Sequence, residues 1–243
     1  LSLYASSPLT SAVAQVGKAR ALLALAHLIR PTDPEEAIKL GQQSIALYRA
    51  HKDQAGLAEA LYIIGEILGY AGHITTAMRY QEESLRIRRA IQDSRGIADS
   101  LRLIGYIETN SGNLQKAVRL SRESCEIRED IGDLPGLVIS LYTLGTALFA
   151  LGQFQESVEI LLRSVTLSRQ LGLHDSLIEP VIHLSLAYTL AGTFDEAQKH
   201  IDGVLQSAEN PRSRGYACFI RGLIATGKQN YPLAKQWLEK SID

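Results

Sequence analysis

The sequence predicts an all-α fold, an α–α superhelix (solenoid) of about six helical hairpins. Three observations predict it: small residues that return every 40 positions, apolar residues at helical spacing between them, and capping residues where helices should begin and end. Because a period of this length implies one repeated structural unit, we expect stacked helix pairs and no mixed sheet.

The 40-residue period is the strongest feature of the chain. It appears in six columns of glycine, alanine, aspartate and serine that keep a single register. The columns are Gly65, Gly105 and Gly145; Gly72, Gly112, Gly152 and Gly192; Ala77, Ala117 and Ala197; Gly56, Gly96 and Gly136; Asp53, Asp93 and Asp133; and Ser84, Ser124 and Ser164. Six coincident columns indicate repetition of one unit.

Each period contains the pattern of two helices. Between Leu57 and Tyr70, apolar residues follow the i, i+3, i+4, i+7 spacing of one helix face. Asp53 precedes this helix as an N-cap, and Gly72 follows it where a left-handed C-cap favours glycine. Because glycine inside a helix costs roughly 1 kcal/mol against alanine, the return of Gly65 at each period indicates close packing of paired helices.

Projected along the chain, the period divides residues 1–243 into a single array. The expected hairpins are about 12–51, 54–91, 94–131, 134–171, 174–209 and 213–243. The sole methionine is Met78, and the last hairpin stops within an expected helix, so we expect the chain to be a fragment of a larger protein.

Two segments of this array resemble tetratricopeptide repeats of the 40-residue type. They are ALYIIGEILGYAGHITTAMRYQEESLRIRRAIQDSRG and SLYTLGTALFALGQFQESVEILLRSVTLSRQLG. The resemblance extends to sensor domains of bacterial STAND-class signal-transduction ATPases, such as LuxR-type and maltose-regulator-like activators. It implies a repeat domain that receives an inducer or peptide; similar arrays in spindle-orientation adaptors bind extended peptides.

Composition excludes several classes of protein. The chain has 46% hydrophobic and 21% charged residues, the balance of a folded protein. Its 25 basic and 26 acidic residues give a net charge of -1, whereas direct nucleic-acid binding usually needs a basic surplus. The most apolar run, 21–29, is too short for a bilayer, so we expect no membrane partner and a cytoplasmic location. Two cysteines suit a reducing compartment.

The sequence offers no motif for catalysis. It lacks a phosphate-binding GxxxxGK[ST] loop and a GxSxG elbow, and its six histidines show no metal-ligand spacing. Cys125 and Cys218 are expected to be small buried fillers. We therefore expect no enzyme, no catalytic residue, no metal and no cofactor, and any ATPase module would lie outside this chain.

In the resembling arrays, the first helix of each hairpin lines a concave groove that binds the partner. The positions one residue after the core stripe are candidates for this face, and tyrosine and phenylalanine recur there. The candidate partner-binding residues are Tyr62, Glu66, Tyr70, Asp99, Arg102, Tyr106, Asn110, Tyr142, Thr146 and Phe149.

Two readings of this face stay open. Arg102 could pair with a carboxylate or phosphate of a ligand, or it could neutralise its acidic neighbours Glu59, Glu66 and Asp99. The tyrosines could likewise contact a ligand or pack between adjacent first helices. On the second helix, the arginines at 86, 88 and 89 are expected to form a solvated outer face.

The sequence therefore predicts a sensor or protein-interaction domain of a larger bacterial regulator of signal transduction or transcription. Its partner would be a protein, a peptide or a small inducer, with contacts to other domains of the parent chain. The alternatives are a passive scaffold that joins two proteins and a receptor for a small signalling molecule lodged among Tyr62, Tyr106 and Tyr142.

Overall fold

The computed structural model describes residues 8–173, 178–207 and 210–242, and within them it contains twelve α-helices and no strand. The expected hairpin limits at residues 174 and 209, and the chain limits 1 and 243, lie outside the described residues. The helices are α1 (Pro8–Ile29), α2 (Pro34–Ala50), α3 (Gln54–Tyr70), α4 (Ile74–Ala90), α5 (Ser94–Asn110), α6 (Leu114–Asp130), α7 (Leu134–Ala150), α8 (Phe154–Gln170), α9 (Ile178–Leu190), α10 (Phe194–Ser207), α11 (Pro211–Gly227) and α12 (Tyr231–Glu239). The predicted all-α class of paired helices is confirmed.

The chain divides into two compact units. The first extends to Ile107 and holds α1 to α4 with most of α5; the second begins at Glu108 and holds the end of α5 and all later helices. In the first unit α1 packs on α2, α3 on α4 and α2 on α3. In the second, α7 packs on α8, α9 on α10 and α11 on α12. That all six pairs form a single array stays a prediction.

The repeated aspartates cap the first helices as the sequence predicts. The carboxylate of Asp53 accepts the amide hydrogen of Gly56 at 2.9 Å, and Asp93 accepts that of Gly96 at 3.0 Å. At the other end of α3, Gly72 has φ of +84°, a left-handed conformation that side chains disfavour. The period thus records where α3, α5 and α7 begin and where α3, α5, α7 and α9 end.

Other glycines in the period mark the closest approach between paired helices. A Cβ atom at Gly145 in α7 would lie 2.5 Å from Leu161 Cγ in α8. A Cβ atom at Gly222 in α11 would lie 2.7 Å from Leu238 Cγ in α12. The predicted packing reason for these glycines is confirmed, because any larger residue would push the helices apart.

Each unit has its own apolar core. In the first, Leu61, Ile64 and Ile107 are almost completely buried. In the second, one cluster surrounds Leu161 and Ile201. Buried serines of the second helices join these cores through hydrogen bonds to the partner helix; for example, Ser84 donates to the carbonyl oxygen of Ala58 and Ser164 to that of Val138. These bonds satisfy polar groups that burial would otherwise penalise.

Ion pairs connect second helices of neighbouring hairpins across 34 residues. Arg49 of α2 lies 2.6 Å from Glu83 of α4 in the first unit, and Arg163 of α8 lies 2.6 Å from Glu129 of α6 in the second. The charges are reversed between the two pairs: the earlier helix supplies the cation in the first and the anion in the second.

Candidate functional site

Six of the predicted partner-binding residues come together in the first unit. They project from α3 and α5 at spacings of three and four residues, which places them on one side of each helix. The six are Tyr62, Glu66, Tyr70, Asp99, Arg102 and Tyr106. None is fully buried, so they form a surface cluster, which we call the tyrosine–arginine cluster.

Arg102 is fixed within this cluster. Its Nη2 donates to the hydroxyl of Tyr62 at 2.9 Å and lies 4.0 Å from Oε1 of Glu66, while its side chain is only 12% exposed. Burial alone would lower the pKa of Arg102, but the neighbouring Tyr62 and carboxylates outweigh it and raise the pKa. The guanidinium is therefore a permanent cation that holds its neighbours in place.

Arg30 completes the charge arrangement, and sequence reasoning missed it. It follows α1, and its Nη1 lies 2.5 Å from Oε2 of Glu66. Glu66 therefore lies between two arginines, one at each carboxylate oxygen. Arg30 lies 40 residues before Tyr70 and 80 before Asn110, so its column in the period could have indicated it.

The two outer tyrosines of the cluster form an aromatic pair. The ring centroids of Tyr70 and Tyr106 are 5.8 Å apart with planes tilted by 53°, within the range of favourable aromatic contacts. Tyr70 is 64% exposed, the most accessible side chain of the cluster. Two rings held on a charged base supply contact area with little conformational freedom to lose.

The structure corrects the expectation for the arginines of α4. Arg86 and Arg89 are exposed, as expected, but Arg88 is 1% exposed and belongs to the interior. It donates to the carbonyl oxygen of Gly96 at 2.7 Å and pairs with Glu59 at 2.5 Å. The solvated-face prediction was wrong for Arg88, because both terminal nitrogens of its guanidinium donate to groups on α3 and α5.

Arg88 also contacts the tyrosine–arginine cluster from the interior of the protein. Its Cζ lies 4.7 Å from the ring centroid of Tyr62, in cation–π geometry. Tyr62 is thus held at its ring by Arg88 and at its hydroxyl by Arg102. Burial raises the pKa of Tyr62, and its hydroxyl stays protonated at neutral pH.

The remaining four candidate residues lie in the second unit. Asn110 is exposed at the end of α5, and Tyr142, Thr146 and Phe149 are partly buried on α7. The Tyr142 ring meets His183 edge-on at 5.4 Å, while Phe149 contacts Phe154. The hydroxyl of Thr146 donates to the carbonyl oxygen of Thr143 at 2.9 Å, within its own helix.

The cysteines are buried, as the sequence predicts. Cys125 and Cys218 are free thiols, and burial raises the pKa of Cys125 to about 12, so this thiol is protonated at neutral pH. Within the part of the chain that the structure describes, no group of three or more His, Cys, Asp or Glu side chains could hold a metal ion.

One described helix is long and apolar enough, by length and composition alone, to cross a membrane. Residues Ala12–Ile29 of α1 have a mean hydropathy of 1.3, and 17% of that window is buried. The expectation of a run too short for a bilayer considered only residues 21–29. A single such helix near the N-terminus is weak support for a membrane span, since signal sequences and core helices share these properties.

Comparison with known protein families identifies the repeats. Residues 58–91 and 96–170 match two family models, both described as tetratricopeptide repeat. The matched residues include most of α3, nearly all of α5, and the whole of α4, α6, α7 and α8. The predicted resemblance to tetratricopeptide repeat arrays is confirmed. No curated protein matches the sequence.

Solved structures share the fold at low sequence identity. A STAND protein with a tetratricopeptide repeat sensor from Pyrococcus horikoshii superposes with a TM-score of 0.76 at 15% identity, over 94% of this chain and 37% of that one. A Rap protein complexed with competence and sporulation factor gives 0.74 at 16% identity, over 92% and 64%. The apo form of RapI gives 0.75 at 12% identity, over 92% and 96%.

Proposed function

We propose that this chain is a ligand-binding tetratricopeptide repeat domain that acts as the sensor of a larger cytoplasmic bacterial regulator of signal transduction or transcription. It binds a protein, a peptide or a small inducer through the inner faces of its first helices and has no catalytic activity of its own. The tyrosine–arginine cluster is the part of this surface that we expect to contribute most to binding.

The observation that carries the proposal is the exposed pair Tyr70 and Tyr106 above a fixed polar base. A surface tyrosine normally loses rotamer freedom on binding. The rings of Tyr70 and Tyr106 already contact one another, with centroids 5.8 Å apart, so they have less freedom to lose. Below them, Arg102 and Arg30 neutralise Glu66, so the base is ordered without a ligand. Such prearranged aromatic contacts are typical of binding hot spots.

Similar structures support the sensor role by analogy. One is described as a STAND protein with a tetratricopeptide repeat sensor, and another as a Rap protein complexed with competence and sporulation factor. Because one fold serves many partners, the analogy supports a binding role and leaves the ligand to be found by experiment.

Of the two roles considered for Arg102, we propose the one in which it neutralises and positions its neighbours. Its guanidinium is bonded to Tyr62 and lies close to Glu66, so it acts as a positioning residue. The ligand would then meet Tyr70 and Tyr106 directly.

The test begins with peptides selected from a random display library against the whole chain. We expect the double variant Tyr70→Ala with Tyr106→Ala to weaken binding of the selected peptides at least about tenfold, as for removal of a hot spot. Binding would be measured by calorimetry, and circular dichroism would establish that the helices are intact.

The control variant is Tyr231→Ala, which removes a tyrosine that is 65% exposed but lies on α12 in the second unit. It should bind as the unaltered chain does. If the double variant retained full affinity for every selected peptide, the tyrosine–arginine cluster would not be the binding site.

A further inference from the structure

Arg88 in the first unit is a buried guanidinium whose hydrogen bonding is incomplete. Its terminal nitrogens are bonded, Nη1 to the carbonyl oxygen of Gly96 at 2.7 Å and Nη2 to Glu59 at 2.5 Å. Its Nε is buried and makes no hydrogen bond within the described residues. Because a buried donor without an acceptor is costly, an arrangement that satisfies Nε would compete with the observed one.

A second carboxylate lies within reach of the same guanidinium. Oδ2 of Asp93 is 3.9 Å from Arg88 Nε, beyond hydrogen-bond distance, while Oδ1 of Asp93 caps α5 through the amide of Gly96. The side chains of Asp93 and Glu59 are 42% and 52% exposed, whereas that of Arg88 is 2% exposed. Two accessible carboxylates therefore compete for one buried cation.

The second unit shows the other arrangement at the same position of the period. The residues 40 positions after Arg88, Asp93 and Ser100 are Arg128, Asp133 and Ser140. Nε of Arg128 donates to the hydroxyl of Ser140 at 3.0 Å, and its Nη1 pairs with Asp133. In the first unit it is Nη1 of Arg88, not Nε, that donates to Ser100, at 3.2 Å. One position of the fold thus occurs in a glutamate-paired and an aspartate-paired arrangement.

Tyr62 connects Arg88 to the tyrosine–arginine cluster. The centroid of its ring lies 4.7 Å from Cζ of Arg88, and its hydroxyl accepts from Arg102 at 2.9 Å. The ring contact favours the glutamate-paired arrangement, since it holds the guanidinium on the side of α3. A ligand that draws Arg102 away from Tyr62 would remove one of the two contacts that fix the ring. Occupancy of the cluster can therefore reach Arg88 through one side chain.

We propose that Arg88 is a two-position switch, which ligand binding at the tyrosine–arginine cluster moves from Glu59 to Asp93. This proposal rests on the proposed sensor function. The unliganded chain holds the glutamate-paired arrangement, so a ligand changes the chain only by favouring the other one. Because Asp93 immediately precedes α5, the movement alters the junction between α4 and α5, where one hairpin joins the next.

Two conservative variants bias the switch in opposite directions. Glu59→Gln removes the charge that favours the observed arrangement. Asp93→Asn removes the charge that favours the other, while asparagine can still cap α5. The readout is the Nε proton of Arg88 in NMR spectra of labelled whole chain, assigned by through-bond correlation to its own backbone. Without ligand, Glu59→Gln should move this signal downfield as Nε bonds to Ser100, and Asp93→Asn should leave it in place.

The ligand experiment uses a peptide selected by display against the whole chain, the probe that also tests the proposed function. At saturation, the peptide should move the Arg88 signal of the unaltered chain in the direction that Glu59→Gln does. By linkage, Glu59→Gln should strengthen peptide binding at least about threefold, and Asp93→Asn should weaken it by a similar factor. A merely structural role of these carboxylates would not change affinity in opposite directions.

Each variant has a matched control in the first unit. Asp53→Asn changes the equivalent cap, that of α3, where the column of the arginine holds Tyr48. Glu83→Gln removes a carboxylate that pairs with Arg49 instead. Neither control should change the Arg88 signal or the affinity for the peptide. Circular dichroism checks that all four variants are folded.

The proposal is overturned if the Arg88 signal stays in place in unliganded Glu59→Gln or in the unaltered chain saturated with peptide. Affinity changes of the same sign in both variants, or none, would also overturn it. Peptide binding that needs Tyr70 and Tyr106 but leaves the Arg88 signal unchanged would reject the switch and keep the binding site. A chain that yields no binding peptide fails the proposed function and the ligand step of the switch together, whereas unliganded Glu59→Gln still decides whether Arg88 has two arrangements.

Discussion

Gly145 shows how one missing side chain sets the distance between two helices. Its position leaves the space that Leu161 occupies, and Leu161 is fully buried at the centre of its cluster. The glycine lowers the intrinsic stability of α7 but allows the contact with α8. The net benefit depends on packing, and it can be measured.

We predict that Gly145→Ala lowers the free energy of unfolding by roughly 1–3 kcal/mol, because the added methyl group overpacks the contact with Leu161. The control is Gly203→Ala in α10. Apart from its chain neighbours and its own helix backbone, a Cβ atom there would have no heavy atom within 4 Å. That change should leave stability unchanged or raise it by up to about 1 kcal/mol. Urea unfolding of both variants would check the prediction, which fails if the two changes have equal effects.

Single residues also show where sequence reasoning stops. Asp53 as an N-cap and Gly72 as a C-cap follow from local chemistry, so both were predictable. The column of Arg30, 40 residues before Tyr70, was also visible in the sequence, but its pairing with Glu66, 36 residues away, was not. A contact between a turn and a helix depends on the relative placement of both, which no local pattern encodes.

Helix α4 carries an exposed arginine on one side and a buried arginine on the other. Arg86 is solvated, whereas Arg88, two residues later, is on the opposite side of the helix and buried. Its contacts with Gly96, Glu59 and Tyr62 connect α4 to α3 and α5. This arginine therefore fixes the relative position of three helices.

We predict that Arg88→Ala destabilises the chain by about 3 kcal/mol, because it leaves a cavity and removes the donor to the Gly96 carbonyl oxygen. Arg86→Ala on the same helix should change stability by less than about 0.5 kcal/mol. Chemical unfolding monitored by circular dichroism compares them. A small effect at Arg88 would mean that solvent or a neighbouring side chain replaces its bonds.

The period did contain a clue to this buried arginine. Tyr48, Arg88 and Arg128 are 40 residues apart, and each is buried. Eight residues after each stands a glycine, and a Cβ atom at Gly56 or Gly96 would meet the side chain of Tyr48 or Arg88. At this position of the 40-residue period, the column predicts burial better than the residue type does. The prediction that Arg88 is exposed was wrong because it considered the charge of Arg88 without its column.

For the whole chain, the sequence predicted the helices well because their pattern is local and repeated six times. The candidate site was predicted only in part. Position in the period placed Tyr62 and Arg102 on one face, but their hydrogen bond depends on side-chain conformations that no periodicity defines. The division into two compact units after Ile107 has no break in the repeat columns to indicate it.

The sensor and the passive scaffold differ in how the whole molecule responds to a ligand. The ligand of a sensor binds two conformations of that sensor with different affinities. A bound peptide should therefore change the average dimensions of the chain. We predict a measurable change in the radius of gyration by small-angle scattering when a selected peptide is added at saturation. Identical scattering with and without the peptide would favour the scaffold.

The reversed ion pairs have a consequence for exchanging hairpins. Arg49 faces Glu83, whereas Glu129 faces Arg163, so a hairpin carrying Arg163 transplanted next to α2 would set two cations against each other. Although the repeats look alike, their outer charges make neighbours non-interchangeable. Recombinants that shuffle these modules would need the charges exchanged along with them.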